Sequence, residues 1–396
     1  MANTFKFGNG SWAVKDGLAL AYNDESNNFK PLPFDFTRAS SATRVNKQGL
    51  IETVRPNRPR IDFTDNTSGH LLLEPSRTNK YPYSNQKVSG GLETFGTGTN
   101  SITVTNNYAT SPDGSQNAMR MVATCGSTTS DRAGLRDLLS MSASSATLTF
   151  YAKSNSSSSQ TIAIHFNGTN KQTITVTTEW QRFTYTDTSA TLNNVGVEIR
   201  GTITDTNVDV LLFGFQMEQA SYATSYIPTE GSSVTRSDDY AIDAGNSDVF
   251  SNTELSWFLD IEGFAEDGTN RYISISDNGG SPYTNGYNVL YRSDGNLRIF
   301  RNGLDFADAI CIVNIDQTVR QKIAIRYKQN DMKVYINGTA QTLNGSYVFQ
   351  SMSSSIDSMR FTQQNSTTSN AFDGKIYYMR VWNEALTDTE LQNLTS

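Results

Sequence analysis

The chain has 396 residues, which at roughly 150 residues per domain corresponds to two or three domains. Apolar residues make up 36%, aromatic residues 11% and charged residues 18%, a combination that excludes a disordered chain and a coiled coil. The formal net charge of -7 disfavours nucleic acid as a partner, because the phosphate backbone attracts basic surfaces.

Residues 1–80 are rich in proline and carry a local cluster of arginines. Because proline donates no hydrogen bond to a sheet ladder, short strands among turns are expected here. This texture is typical of an irregular arm or docking piece. The candidate docking residues are Arg38, Arg44, Arg55, Arg58 and Arg60. The alternative is that these arginines pair with carboxylates of their own chain.

Residues 81–245 consist of short alternating runs separated by Gly, Asn, Ser and Asp. Strands are predicted at 147–152, 161–166, 172–176, 181–186, 195–200 and 209–215. A spacing near ten residues with polar turns between the strands is typical of a β-sandwich or barrel.

Residues 246–396 repeat this pattern with clearer signals. Strands are predicted at 257–261, 272–276, 288–291, 297–301, 321–327, 333–336 and 375–382. Asn337 and Gly338 predict a type I′ hairpin, and Thr387 to Glu390 predict a capping box that opens a short helix. The predicted fold class is therefore all-β, with an irregular N-terminal arm followed by two antiparallel β-sandwich (jelly-roll) domains at 81–245 and 246–396.

Several motifs resemble bacteriophage proteins. SPDGS at 111–115, TFYAKS at 149–154, WQRF at 180–183 and the long stretch 211–236 resemble a domain of phage tail-fibre and minor structural proteins, similar to carbohydrate-binding-module jelly rolls. Residues 36–52 and 71–79 resemble the leader that precedes this domain. MKVYINGT at 332–339 and the stretch 372–394 resemble a concanavalin A-like, LamG-type jelly roll. The resemblance implies a virion appendage protein that binds glycans or docks other virion proteins.

The sequence contains few of the residue patterns that catalysis requires. His70 and His165 are the two histidines of the chain, and no catalytic triad, phosphate-binding loop, zinc-ligand spacing or dinucleotide fingerprint accompanies them. Asp260 and Glu262 lie two positions apart on a predicted strand, which places them on one face about 7 Å apart. Phe258 occupies the position at which a nucleophilic glutamate would stand in that hydrolase pattern. No catalytic residue is predicted, and a polysaccharide depolymerase is the less favoured alternative.

Glycan binding needs aromatic faces together with amide or carboxylate groups. The candidate glycan-binding residues are Asn278, Tyr283, Asn285 and Tyr287 in a glycine-rich loop, together with Asp260 and Glu262 on the neighbouring strand. The alternative for the loop is a solvated hairpin whose tyrosines fold back onto the sheet. No cofactor is expected, although Asp267, Asp277 and Asp294 are candidates for structural calcium, with turn formation as the alternative.

The expected protein is a fibre- or tail-associated virion protein, assembled in the host cytoplasm, that recognises host-surface polysaccharide. The chain start lacks a secretory signal, and no run approaches the roughly 18 apolar residues that cross a bilayer, so membrane insertion is not expected. Weak sugar sites favour a homo-oligomer, with a trimer as the first expectation. The alternative is a capsid or tail adaptor that binds other virion proteins and no sugar. Cys125 and Cys311 are interpreted as unpaired apolar fillers.

Overall fold

A computed structural model describes residues 4–15, 18–23, 30–142, 145–188, 191–277, 286–302, 309–344, 356–363 and 366–396. The chain order of the strands is β1 (Thr4–Gly8), β2 (Ala13–Lys15), β3 (Leu18–Asn23), β4 (Lys30–Pro33), β5 (Asp35–Thr37), β6 (Ala42–Val45), β7 (Ile51–Val54), β8 (Arg60–Asp62), β9 (His70–Leu73), β10 (Arg77–Asn79), β11 (Glu93–Thr97), β12 (Asn100–Ala109), β13 (Ala118–Cys125), β14 (Arg132–Asp137), β15 (Met141–Ser142), β16 (Ala146–Ser154), β17 (Gln160–Phe166), β18 (Thr169–Val176), β19 (Gln181–Asp187), β20 (Thr191–Leu192), β21 (Val195–Arg200), β22 (Asn207–Glu218), β23 (Val234–Arg236), β24 (Tyr240–Ile242), β25 (Leu255–Gly263), β26 (Arg271–Ser276), β27 (Gly286–Tyr291), β28 (Asn296–Asn302), β29 (Ala309–Asn314), β30 (Gln321–Tyr327), β31 (Lys333–Ile336), β32 (Thr339–Ala340), β33 (Ser358–Arg360) and β34 (Gly374–Trp382). One helix, α1 (Asp388–Thr395), occurs among the described residues. The all-β prediction is confirmed.

The chain divides into two compact units whose boundaries differ from the three predicted segments. Unit 1 comprises Met1–Ser41, Val54–Pro75 and Ser237–Ser396, and unit 2 comprises Ala42–Thr53 and Ser76–Arg236. The residues expected to form a separate arm are thus divided between the two units.

Strand β1 gives the physical reason for this difference. It pairs antiparallel with β34, from Thr4 opposite Trp382 to Gly8 opposite Tyr378. The alternate residues Phe5 and Phe7 are buried in the core of unit 1. Burial of these two rings, each worth roughly 1.5–3 kcal/mol, stabilises the N-terminal strand as part of the large sheet.

Unit 1 contains two larger sheets that enclose one core, together with the two-stranded sheet β5-β24. The large sheet has the order β2-β3-β1-β34-β25-β30-β31-β32, with β9 also paired to β34, and the second has the order β29-β28-β27-β26-β33. Trp257, Leu259 and Ile261 of β25 face the core, as the alternation along this strand predicts. The opposite face of β25 is therefore the outer face of the large sheet.

Unit 2 contains two five-stranded sheets, β11-β14-β21-β17-β18 and β12-β13-β22-β16-β19. Both contribute to one apolar core, in which Phe150 stacks with Phe183 and Phe215. The segment after β22 is held by buried polar groups: Thr224 donates to Glu218, and the Ile227 amide donates to Gln216 Oε1 at 2.6 Å. These bonds give a structural role to Gln216, Glu218 and Thr224 of the stretch 211–236.

Two local predictions are confirmed. Asn337 and Gly338 have positive φ of 48° and 78°, as the predicted turn between β31 and β32 requires. Thr387 caps α1, because its hydroxyl accepts from the Glu390 amide while the Glu390 side chain accepts from the Thr387 amide.

Within the described part of the chain, no helix has the length and apolar character to span a membrane. Cys125 and Cys311 are buried and free.

Candidate functional site

A β-bulge shapes the outer face of the large sheet in unit 1. Asp260 of β25 pairs with Tyr378 of β34, whereas the next residue, Ile261, pairs with Ile376. Tyr377 is therefore an extra residue on β34, and such bulges redirect a side chain out of the regular alternation. The Tyr377 side chain consequently reaches the face that carries Asp260 and Glu262.

Asp260 is held by an arginine from the segment that precedes β30. Arg320 Nε and Nη2 donate to the two carboxylate oxygens of Asp260, each at 2.6 Å. The Arg320 side chain is 48% exposed, while that of Asp260 is 7% exposed. The same guanidinium lies 3.9 Å from the centre of the Tyr377 ring. Hydrogen bonding to Asp260 raises the pKa of Arg320, so the guanidinium stays charged across the physiological range.

Glu262 is held by two residues of β34. Lys375 Nζ donates to Glu262 Oε1 at 2.5 Å, and the Tyr377 hydroxyl donates to Oε2 at 2.8 Å. Burial, followed by the hydrogen bond to the Glu262 carboxylate, raises the pKa of Tyr377, so its hydroxyl keeps its proton. The side chains of Glu262 and Lys375 are partly exposed. We call Asp260, Glu262, Arg320, Lys375 and Tyr377 the Glu262 cluster.

His70 of β9 adjoins the Glu262 cluster. Its ring centre lies 5.2 Å from that of Tyr377, and its Nε2 lies 3.8 Å from Asp62 Oδ1. Burial, together with the charge of Lys375, lowers the pKa of His70 to about 4, although Asp62 acts in the opposite direction. The imidazole is therefore neutral near pH 7.

The chemistry of the Glu262 cluster is that of oriented hydrogen bonding. Each carboxylate accepts hydrogen bonds from a cationic side chain, Asp260 from Arg320 and Glu262 from Lys375. The Tyr377 ring already contacts Arg320 and His70. The partly exposed Lys375, Arg320 and Glu262 leave donors and acceptors for hydroxyl groups of a ligand.

Of the predicted loop residues, the structure describes Tyr287 and Asp277, while Asn278, Tyr283 and Asn285 lie outside the described residues. The expectation that Tyr287 forms an exposed stacking platform is corrected, because Tyr287 is 2% exposed. Its ring centre lies 4.4 Å from that of Tyr327, and its hydroxyl donates to the Ser251 carbonyl at 3.1 Å. Its apolar ring is stabilised in the core of unit 1, which agrees with the alternative that the tyrosine folds back onto the sheet.

The predicted docking arginines have different environments. Arg38 and Arg60 are buried, and both contact Asp239: Arg38 Nη1 donates to Asp239 Oδ1 at 2.9 Å, and Arg60 forms an ion pair with the other oxygen. Arg60 also donates to Glu74 at 2.7 Å. A docking role for Arg38 and Arg60 is therefore corrected, because a buried, paired guanidinium is not presented to a partner.

The other three arginines lie nearer the surface. Arg44 Nε donates to Glu52 Oε1 at 2.6 Å, and both side chains are partly exposed. Arg55 and Arg58 are exposed. Docking through these residues remains a prediction.

The calcium candidates form contacts of their own. Asp267 Oδ1 accepts from the Thr269 hydroxyl at 2.5 Å and lies 3.1 Å from Arg271 Nη2. Asp294 Oδ2 lies 3.0 Å from Arg292 Nη2. In the described ranges, no group of three or more His, Cys, Asp or Glu residues is arranged to hold a metal ion. The contacts of Asp267 and Asp294 are those of turn-forming aspartates.

Sequence reasoning missed the partners that orient the predicted carboxylates. Arg320, Lys375 and Tyr377 stand 58–117 positions from Asp260 and Glu262 in the sequence, so no local pattern connects them. It also missed a cluster in unit 2 that surrounds Phe95. The sequence does contain a signal for this cluster, an alternation along two strands. Arg132, Gly134 and Arg136 share one face of the first strand, and Gly196, Glu198 and Arg200 share one face of the second.

Comparison with known proteins identifies part of unit 1. Residues 235–392 match the family model described as the concanavalin A-like lectin/glucanases superfamily. This match spans fewer than half of the 396 residues. No curated protein matches the chain.

Solved structures also show distant similarity. The CBM40 of the Ruminococcus gnavus IT-sialidase is 14% identical, covers 39% of this chain and 94% of its own, and has a TM-score of 0.32. Domain 4 of AbnA, a GH43 extracellular arabinanase from Geobacillus stearothermophilus, in complex with arabinotriose, is 15% identical over 44% of this chain and 83% of its own, with a TM-score of 0.33. The Trypanosoma rangeli sialidase is 10% identical over 98% of this chain and 69% of its own, with a TM-score of 0.30. At these values the similarities carry no functional argument.

Proposed function

We propose that the protein is a non-catalytic appendage of a bacteriophage particle, fibre- or tail-associated, that recognises host-surface polysaccharide through the Glu262 cluster of unit 1. The family match of residues 235–392 supports a lectin-like unit, and the phage motifs of the sequence support the virion context. The observation that carries the proposal is the cluster itself. Its Lys375, Arg320 and Glu262 side chains are partly exposed and already oriented by hydrogen bonds, so a glycan hydroxyl meets preorganised partners.

Binding rather than cleavage is supported by the contacts of the two carboxylates. Asp260 accepts from Arg320 at both oxygens, and Glu262 accepts from Lys375 and from the Tyr377 hydroxyl. Hydrolysis needs one protonated carboxylic acid and one free carboxylate beside the glycosidic bond. Incubation of the protein with polysaccharide should therefore release no new reducing ends.

The affinity of one such site would be low, because the cluster lies on an open sheet face. Several copies around a symmetry axis, with a trimer as the first expectation, would raise the overall affinity without any new contact. The exposed Arg55 and Arg58 favour a second role, docking to another virion protein.

A glycan array probed with the full-length chain tests the proposal. Lys375→Ala removes a donor of the Glu262 cluster and is expected to weaken binding to the recognised glycans roughly tenfold, the usual effect of losing one hydrogen bond to a charged group. Lys328→Ala is the matched control, because Lys328 forms an exposed pair with Glu254 in the same unit, at an Nζ–Oε2 distance of 3.6 Å. Equal binding by the two variants would contradict the role of the Glu262 cluster. Absence of glycan binding by the wild-type chain, with binding to virion proteins, would favour the adaptor alternative.

A further inference from the structure

A charged cluster lies on one sheet face of unit 2, on the side opposite the apolar core. Ala133 and Leu135 of β14 face the core, so the alternate residues Arg132, Gly134 and Arg136 face outward. Phe95 of β11 pairs with Gly134, which pairs in turn with Glu198 of β21. The cluster consists of Phe95, Arg132, Arg136, His165, Glu198 and Arg200, and we call it the arginine cluster.

Two glycines keep the middle of this face free of side chains. Gly134 and Gly196 occupy adjacent strands, and a Cβ atom at these positions would lie 2.3 Å from the Val197 carbonyl oxygen and 1.9 Å from the Leu135 carbonyl oxygen. Because the intervening positions carry no side chain, the rings of Phe95 and His165 approach to 5.0 Å between centres although their strands are not neighbours.

The three arginines outnumber the carboxylates that contact them. Arg200 forms an ion pair with Glu198, and Arg132 Nη1 lies 3.9 Å from Glu198 Oε2. Arg136 lies 4.9 Å from the centre of the Phe95 ring and has no ion-pair partner among the residues that the structure describes. Glu93 is opposite Arg136 in the ladder, and its carboxylate accepts from the Gly90 amide instead. The arginine cluster thus presents surplus positive charge in a chain of net charge -7.

Several buried polar atoms in the same cluster form no well-aligned hydrogen bond among the described residues. His165 is fully buried, and neither ring nitrogen forms such a bond, although the Leu135 backbone is close enough to interact with the ring. Glu198 Oε2 accepts no hydrogen bond, with Arg132 Nη1 at 3.9 Å, and Arg136 Nε donates none. Burial of an unsatisfied polar group is unfavourable, so several such atoms around one point indicate a ligand that satisfies them.

The types of these groups indicate the chemistry of the ligand. A guanidinium binds a carboxylate through two parallel N–H donors. Burial, followed by the charges of Arg132 and Arg200, lowers the pKa of His165 to about 3, so the ring is neutral near pH 7 and the arginines carry the positive charge of the cluster. The Phe95 ring lies against the guanidiniums of Arg132 and Arg136, at 5.6 and 4.9 Å from its centre.

We propose that the arginine cluster binds the carboxylate of an acidic saccharide of the uronate class, with the partly exposed Arg136 as the principal carboxylate ligand. The choice of a saccharide over another carboxylate rests on the proposed glycan recognition. The site is separate from the Glu262 cluster, because the two belong to different units.

The test measures binding of the full-length chain to polygalacturonate and to alginate by calorimetry. Methyl-esterified polygalacturonate provides the same backbone without the charge and is expected to bind at least tenfold more weakly. Arg136→Gln is expected to weaken polyuronate binding roughly tenfold or more. Arg136→Lys keeps the positive charge but loses the two parallel N–H donors of the guanidinium, so it is expected to have an intermediate effect. Arg120→Gln is the matched control, because Arg120 belongs to the other sheet of unit 2, where it pairs with Asp209 and lies over the Tyr108 ring.

Each outcome of this experiment bears on the proposal. Equal binding by Arg136→Gln and Arg120→Gln, or no binding of either polyuronate by the wild type, overturns it. If acetate competed as effectively as galacturonate, the cluster would accept any carboxylate, and the saccharide assignment would be overturned. Loss of array binding in Lys375→Ala with unchanged polyuronate binding in Arg136→Gln would leave the proposed function standing and refute the arginine cluster. The reverse result would support the arginine cluster and refute the role of the Glu262 cluster.

Discussion

The buried His165 predicts a specific loss of stability in acid. Its pKa in the folded chain is lowered to about 3, mainly by burial, from an ordinary value of 6.5. Between these two values the unfolded chain binds a proton that the folded chain does not bind, so the free energy of unfolding decreases as the pH falls. The contribution of His165 is therefore complete above pH 6.5 and is lost progressively below it.

The magnitude follows from the interval over which the two states differ in protonation. Between about pH 6.5 and about pH 4.5, the two pH units at about 1.4 kcal/mol each correspond to about 3 kcal/mol. His165→Leu removes the titrating group, and since neither ring nitrogen forms a well-aligned hydrogen bond in the described structure, little hydrogen bonding is lost with the imidazole. On transfer from about pH 7 to about pH 4.5, the free energy of unfolding of the variant should therefore decrease by about 3 kcal/mol less than that of the wild type.

Urea denaturation followed by intrinsic fluorescence at both pH values measures this difference. Carboxylates that titrate over the same range are present in both proteins, so their contribution cancels in the comparison. The reasoning would be refuted if His165→Leu lost as much free energy of unfolding in acid as the wild type. Such a result would mean that the imidazole of the folded protein is protonated as readily as that of the unfolded chain.

Two further substitutions test the structure of unit 1, each against a matched control in thermal and urea denaturation. Gly8→Ala should destabilise the protein by about 2 kcal/mol or more, because Gly8 has a φ of 94° and an added Cβ would lie 2.5 Å from the Tyr377 carbonyl oxygen. Gly10→Ala shares the positive φ, but its Cβ would meet the Ser68 side chain only at an ordinary contact distance of 3.7 Å, so a loss of about 1 kcal/mol is expected; an equal effect of the two would contradict the steric argument. Asp239→Asn should lower the free energy of unfolding by about 3 kcal/mol, because it leaves the buried Arg38 and Arg60 without the Asp239 carboxylate. Asp294→Asn breaks an exposed pair and should change stability by less than about 1 kcal/mol; similar losses at both aspartates would refute the difference in burial.

The candidate sites could be predicted in part from the sequence. The alternation in β25 placed Asp260 and Glu262 together on the face opposite Trp257, because strand geometry alone dictates that relation. The bulge that brings Tyr377 to the same face was not predictable, since it depends on the pairing of two strands more than a hundred residues apart. For the same reason, the sequence left open whether Tyr287 is exposed in a loop or folded back onto the sheet, and the structure shows its ring in contact with Tyr327 in the core.

The N-terminal residues illustrate the same limit. Their prolines and arginines have the composition of an arm, and composition carries no information about which distant strand offers a free edge. Pairing of β1 with β34 and burial of Phe5 and Phe7 place this segment in unit 1. Arg38 and Arg60, which resemble a basic docking surface in the sequence, are instead neutralised by Asp239 and Glu74.

By itself, the amino-acid sequence determined what depends on neighbouring residues: the all-β class, the Asn337-Gly338 hairpin, the capping box of α1 and the shared face of Asp260 and Glu262. These features follow from backbone preferences and from the period of a strand. The tertiary structure decided which charges meet, namely Asp260 with Arg320, Glu262 with Lys375, and Arg136 with the Phe95 ring. Such contacts depend on the pairing of strands distant in sequence, and pairing is selected by the burial of the whole core rather than by any local pattern.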